Sequence, residues 1–312
     1  MAVLISFSSI RIVSCSFSLY PKAFVTKCDA LYDNRVNAAA ETVISRLSKS
    51  RVVLLAGPSS SGKTTTASRV RKALADRGVY AHMISLDDYY RSKLEPDFPR
   101  TKDGEPDLEA PEGLNIPLLN QHLEALDEGG EIVVPYFDFQ IQEQVPEKYR
   151  TLKLHDNEVV IFEGIHGLNP MLTGKNPEAT RLFVSPASSV YEEDVEVFDR
   201  VWMRVLRRIV RDYYFRGASA EETLGMWRNV RLGERKYISP FKSTAHYAID
   251  TSLAYEVAAF RTIAEPMLLK LEEHPQPKLV DFILEGLEAF DPLDLEYVPE
   301  TSLLREEFLP KE

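Results

Sequence analysis

Cysteine is scarce: 312 residues hold two, Cys15 and Cys28, both near the N-terminus. Two thiols at that spacing match no metal-ligand pattern, which excludes a cysteine-built zinc or iron–sulfur site. They can form one disulfide, but in a chain of intracellular type both are read as free thiols. Cationic excess is missing as well, since 37 Lys and Arg face 48 Asp and Glu for a net charge of −11. That balance excludes a general nucleic-acid binder, which presents a basic face, and leaves room for a local phosphate pocket. No apolar run reaches the ~18 residues that span a bilayer. Internal repeats and low-complexity tracts are absent. Acidic residues are absent before Asp29, where a Ser-rich stretch carries Arg11, Lys22 and Lys27. This is the composition of an organellar transit peptide, with a disordered tail or a strand pair in VLISFSSIRIVSCSFSLY as alternatives. Residues 1–28 are therefore set apart as an N-terminal extension from a domain over 29–312. The expected compartment is cytoplasmic, or organellar if the extension is a leader.

What is present starts with Arg51–Thr66, RVVLLAGPSSSGKTTT. Val52–Ala56 is a short β-branched run of the kind that makes a buried parallel strand. Gly57-Pro58-Ser59-Ser60-Ser61-Gly62-Lys63-Thr64 then matches G-x-x-x-x-G-K-[ST], and an amphipathic run follows to Arg77. Glycine lets successive N–H groups turn inward around phosphate oxygens, and the next helix adds its positive dipole end. Lys63 is placed to reach the β- and γ-phosphates, and the Thr64 hydroxyl to meet Mg²⁺. Gly57, Ser59, Ser60, Ser61, Gly62, Lys63, Thr64 and Thr65 form the expected nucleotide-binding set. A nucleoside triphosphate is the implied ligand.

Around this loop, apolar and polar segments alternate. Asp29–Ser48 has helical spacing, and Val79–Leu86 reads as a second strand delivering Asp87-Asp88-Tyr89-Tyr90. Residues 91–112 lack periodicity and read as a loop. Leu114–Leu126 is expected to be a helix, Glu131–Phe139 a strand ending in aromatics near Pro135, and Glu158–Glu163 a buried strand. Arg181–Ser185 and 248–250 are short strands. Val195–Phe215 and Ala220–Lys236 are basic helical stretches, and Leu253–Glu273 is a helix that Pro266 interrupts or kinks. Strands alternating with helices give an α/β fold with a doubly wound parallel sheet.

Phosphoryl transfer needs a metal holder, a proton acceptor and cations for the migrating charge. Glu163 and Asp87 end neighbouring strands, where such sheets bind ligands. Glu163 suits the Mg²⁺ shell; Asp87 suits a base for a substrate hydroxyl and faces the same ion. Arg204, Arg208 and Arg211 share one helical face, and with Arg207 and Arg216 they suggest a lid that closes over the triphosphate. Tyr90, Phe137 and Phe139 are candidates to stack on a nucleobase.

GPSSSGKTT, SLDDYY, PYFDF, FEGIHGLNP and RRIVRD-YYF-RG, in that order, resemble the uridine kinase / phosphoribulokinase family of P-loop kinases. The likeness is to a bacterial-type uridine-kinase-like branch, from about Asp29 to the ending VPETSLLREEFL, without that branch's half similar to threonyl-tRNA synthetase. The resemblance implies a three-layer P-loop NTPase-type fold with a helical lid over about 204–236 and a small strand-and-loop insertion for the substrate. It also implies ATP and Mg²⁺ as cofactors, a small-molecule partner (a nucleoside), no nucleic acid or membrane partner, and assembly as a homo-oligomer. By position, Asp87 becomes the base for a nucleoside 5′-hydroxyl, Glu109 the grip on the ribose hydroxyls, and Glu163 with Thr64 the metal ligands. Arg208, Arg211 and Arg216 face the phosphates; Lys63, Arg211 and Arg216 assist transfer. Phe137 and Phe139 fall in the base pocket, with Arg208 at its phosphate side.

Three positions depart from that pattern. Gln142 stands where uridine–cytidine kinases have a base-reading His, Ala218 where they have a lid Arg, and Met226 where a Gln reads the pyrimidine. The nucleotide half carries over; pyrimidine specificity does not. The expected activity is phosphorylation of a nucleoside 5′-hydroxyl. The alternatives are another small hydroxyl acceptor, such as a sugar phosphate or vitamin alcohol, and a non-catalytic ATP-binding regulatory module. A GTP switch is disfavoured, since no Asn-Lys-x-Asp segment reads guanine.

Overall fold

The computed structural model describes residues 5–6, 9–12, 20–192, 194–271 and 276–310. The leader reading and Cys15 fall mostly outside them. Within that extension, β1 (Ile5–Ser6) pairs antiparallel with β2 (Ser9–Ile12). Helix α1 runs over Pro21–Ser45 and so begins ahead of the expected Asp29, with proline in its first turn, where a missing N–H costs nothing. Its Cys28 is a buried free thiol, its pKa pushed up by burial to about 12.

The chain then lays down β3 (Val52–Ala56), α2 (Lys63–Ala75) and β4 (Tyr80–Ser85). After a long loop come α3 (Ile116–Asp127), β5 (Glu131–Val134), β6 (Phe137–Asp138), β7 (Glu143–Gln144), β8 (Arg150–Lys153) and β9 (Glu158–Glu163). The expected single strand over 131–139 is thus two. β5 stops at Val134 because Pro135 has no N–H to continue a ladder; it pairs with β8, while β6 pairs with β7.

Next are α4 (Pro170–Thr173), β10 (Thr180–Ser185), β11 (Ser189–Glu192) and β12 (Val195–Phe198). The expected helix from Val195 is corrected here: Val195–Phe198 pairs with β11, and Asp199 then caps α5 (Arg200–Arg216) by accepting from the Val201 N–H at 2.6 Å. Gly217, left-handed at φ 66°, ends α5, and a Ser219/Glu222 capping box opens α6 (Ala220–Gly233). A wider helical turn over Glu234–Ile238 leads to β13 (Tyr247–Asp250), α7 (Glu256–Leu268), α8 (Pro277–Glu288) and α9 (Leu303–Glu307). α7 continues through Pro266 and ends at Leu268, the proline forfeiting the hydrogen bond that an N–H there would give to the Thr262 carbonyl.

The central sheet has the order β13-β10-β3-β9-β4, with every pair parallel. Alternate residues of β3 serve opposite faces. Val53 and Leu55 join the core under α1, α2, α5 and α7, while Val52 and Leu54 join the one under α3. Both faces are therefore covered, and the strand reads as a continuous apolar run. The register sets Glu163 beside Leu55 on one side and Ser85 on the other. Three strand ends thus reach one edge together, and the phosphate loop, Glu163 and Asp87 leave from that edge. This is a doubly wound P-loop fold. Among the described residues, no helix is long and apolar enough to cross a membrane.

Candidate active site

The phosphate loop needs close backbone packing before it can hold anything. A Cβ on Gly57 would lie 2.1 Å from the Val184 carbonyl oxygen, so no larger residue fits there. Ser60 at φ 58° and Gly62 at φ 84° take the left-handed turns that bring the loop into α2. Lys63 Nζ donates to Pro58 O at 3.2 Å, folding the ammonium over the loop.

The arginines of α5 divide between bracing this loop and facing the cleft. Arg204 was expected among the cations over the phosphates; it is instead buried, donating to Ser59 O at 3.1 Å and pairing with Glu234 at 2.7 Å. Its guanidinium also lies over the Trp227 ring. Arg208 donates to Ser59 Oγ at 2.9 Å. Arg207 is fully buried against Glu256 at 2.5 Å and Thr251 Oγ1 at 3.1 Å, and Thr251 Oγ1 donates to Ser61 O at 2.7 Å. Buried Asp212 gathers Arg208, Arg211 and Arg216 at 3.3, 2.8 and 3.5 Å. Arg211 and Arg216 then line a cleft of about 1050 Å³.

That cleft also takes Ser59, Ser60, Lys63, Thr64, Thr65, Asp87 and Glu163 into its wall. Thr64 Oγ1 donates to Glu163 Oε2 at 3.1 Å. Burial raises the Glu163 pKa; Lys63 opposes that shift and Asp87 adds to it. Burial likewise raises Asp87, with Lys63 and Arg216 pulling it back. The two acids and the two cations thus act on one another across a small volume. A carboxylate held above its usual range is a stronger proton acceptor.

Beyond Asp87, Tyr90, Phe137 and Phe139 form a ring cluster with centroids 5.1–6.4 Å apart. Gln144 Nε2 donates to the Asp88 and Tyr90 carbonyls at 2.8 and 2.7 Å, pinning the hairpin to the acid-bearing turn. Glu109 packs directly against Gly233 of α6. Burial pushes its pKa up to about 7 against the pull of Arg208 and Lys63. Gln142, at φ 60°, turns its side chain back to Phe139 O at 2.7 Å, and Met226 is exposed.

Several residues of the cleft carry no local signal in the sequence. Tyr136, Tyr149 and Arg150 line it from the hairpin, Phe215 from α5, and Glu306 and Glu307 from α9. Arg69 of α2 reaches Glu306 at 2.9 Å across 237 positions of chain. Only the resemblance that includes the ending VPETSLLREEFL hints that the C-terminus belongs here.

The chain is similar to a uridine kinase of Saccharomyces cerevisiae, 25% identical over 75% of this chain and 43% of that protein. It is also similar to a uridine kinase of Macrococcus caseolyticus, 27% identical over 68% of this chain and 93% of the other. A solved structure of D-glycerate 3-kinase from Cryptococcus neoformans aligns with a TM-score of 0.43 at 17% identity, over 66% of this chain and 89% of that one. The match spans less than half of the yeast relative and nearly all of the bacterial one. The model of the phosphoribulokinase / uridine kinase family matches residues 52–258, which carry the phosphate loop, both strand-end acids and the arginines of α5. With most of its length inside that match, the chain belongs to the phosphoribulokinase / uridine kinase family of kinases.

Proposed function

We propose that this protein transfers the γ-phosphoryl group of ATP to the 5′-hydroxyl of a nucleoside, uridine or cytidine first. The observation that carries this reading is the convergence of Lys63, Thr64, Asp87 and Glu163 on one cleft at the mouth of the phosphate loop. Asp87 accepts the hydroxyl proton as the oxygen attacks, and the raised pKa that burial gives it suits that task. Lys63, Arg211 and Arg216 neutralise charge on the migrating group, and the braced loop needs no reorganisation as that charge develops. Tyr90, Phe137 and Phe139 stack on the base, and Glu109 accepts from the ribose hydroxyls. Relatives named uridine kinase support a nucleoside acceptor.

Magnesium fits the residues present. Thr64 and Glu163 are already joined by a hydrogen bond at the foot of the cleft. No three His, Cys, Asp or Glu side chains among the described residues group closely enough to hold an ion by themselves. Magnesium, which keeps several waters and leans on substrate phosphates, asks for no such cage. Thr64 and Glu163 would hold the ion, which would supply positive charge against the triphosphate.

Gln142, Ala218 and Met226 favour a second reading, in which the donor half is the same and the acceptor is another small alcohol, a sugar phosphate or a vitamin alcohol. A regulatory module without an acceptor is disfavoured, because a pure binder has no use for Asp87. The deciding experiment is a phosphoryl-transfer assay over nucleosides and sugar phosphates, with product mass as readout. A nucleoside monophosphate as the fastest product supports the first reading. A phosphorylated product from another alcohol, with nucleosides inert, replaces it.

A further inference from the structure

The C-terminal helix α9 is held against the phosphate loop by interactions that have no need of a carboxylate at its tip. Ser302 caps it, accepting from the Leu304 N–H at 3.2 Å, and Tyr255 OH lies 2.6 Å from the same hydroxyl. Leu303, Leu304, Phe308 and Leu309 are buried, and a Leu303 methyl lies 3.2 Å from where a Cβ on Gly62 would stand. Arg69 grips Glu306 at 2.9 Å and also donates to the Thr301 carbonyl. The next residue, Glu307, does none of this. It lines the cleft shared with Thr64 and Glu163, its Oε2 stands 3.7 Å from the same Gly62 position, and that oxygen is buried and accepts no hydrogen bond from a described residue. A buried acceptor left unpaired marks an ion, a water or a catalytic task. The positive end of the α2 dipole makes a carboxylate tolerable there but satisfies no lone pair.

This inference rests on the magnesium-dependent reading above. We propose that Glu307 is a positioning residue of the magnesium site, accepting a hydrogen bond from a water on the ion and so completing, with Thr64 and Glu163, the protein side of its shell. Its sequence position, 243 residues after Thr64 by number, explains why no motif contains it. The chemistry is that of an outer-shell acid: it orients a metal-bound water and never meets the transferred group.

The test uses the full chain carrying Glu307→Gln, which keeps size and shape, with Glu307→Asp as a second variant that shortens the acid. Manganese affinity of the enzyme–ATP complex is read by electron paramagnetic resonance of free Mn²⁺, and ATP affinity in chelator by calorimetry. The expected result is manganese binding weakened about tenfold or more in Glu307→Gln, with metal-free ATP binding unchanged or tighter. Glu307→Asp should recover part of the loss. Manganese affinity within about twofold of the parent overturns the proposal, as does an equal loss of metal-free ATP binding, which would make Glu307 a support of the loop. A parent that binds no ATP overturns the underlying kinase reading instead, and that result is distinct from either.

Discussion

The phosphate end of the proposed site and its proposed acceptor end, whose aromatic rings, Glu109 and Gln142 lie outside the lining of the cleft, are built to different standards. At the phosphate end, Ser59 is held by Arg204 and Arg208, and Ser61 by Thr251. Arg207 and Glu256 stand behind them, fully buried. At the acceptor end, the candidate side chains hang from a loop and a hairpin of two-residue strands, Phe139 is 54% exposed, and Gln142 bonds only its own turn. The difference follows from what each end must recognise. Triphosphate chemistry is the same in every reaction of this kind and rewards a stiff, preorganised cradle. The proposed acceptor contacts sit on exposed connecting segments, which can change without disturbing the core.

The sharpest break in this comparison is Asp87→Asn, which removes the proposed proton acceptor and leaves the loop intact. Turnover should fall by about 10²–10⁴-fold while ATP affinity holds, measured by ADP release and by nucleotide titration. Normal turnover would dissolve the boundary drawn between the two ends.

Next in size is Arg207→Ala, which leaves Glu256 uncompensated in the core. A loss of about 3–5 kcal/mol in denaturant unfolding is expected. The double variant with Glu256→Ala should recover much of it. A change below about 1 kcal/mol would mean that the brace is not what stiffens the phosphate end.

At the other end the effects should be smaller and fall on choice. Gln142→His, combined with Ala218→Arg, should raise kcat/KM for uridine by about tenfold, the worth of one restored reader contact. No change would place the acceptor in the cleft itself, against Tyr136 and Tyr149.

The smallest effect concerns Glu109, whose pKa is raised to about 7 by burial. A carboxyl raised in the folded state is favoured protonated, so the stability linked to it is present at low pH and is lost as pH rises through that value. Glu109→Gln should therefore raise Tm at pH 8 and change nothing at pH 4. Partial exposure of Glu109 to solvent keeps the difference at about 1 kcal/mol, or roughly 2–4 °C for a chain of this size. The same titration predicts weaker nucleoside binding below about pH 7, where Glu109 can no longer accept from both hydroxyls.

Much of this was legible in the residues. The phosphate loop is local, because eight consecutive positions and a following helix contain its whole geometry. Glu163 could be read because β9 is a short apolar run that ends in an acid, and Asp87 because it follows the end of β4 by two residues. The arginine run was harder, since helical spacing shows which residues share a face and not what that face meets. Arg204 and Arg208 do share one, yet Arg204 is spent on the Ser59 carbonyl and buried Glu234 while Arg208 meets the Ser59 hydroxyl of the loop. Val195–Phe198 misled for a related reason. Four residues are too few for periodicity to separate strand from helix, and its partner β11 decides the matter.

By itself, then, the order of residues determined a parallel sheet, a triphosphate cradle and two strand-end acids, because each is written in a short window where backbone geometry and side-chain type act together. The tertiary structure alone decided which arginines brace and which face the cleft, that Glu109 lies against Gly233, and that the last helix brings Glu307 to the loop. Those outcomes depend on packing between segments tens to hundreds of residues apart, and no local pattern can carry a contact made by the folded chain as a whole.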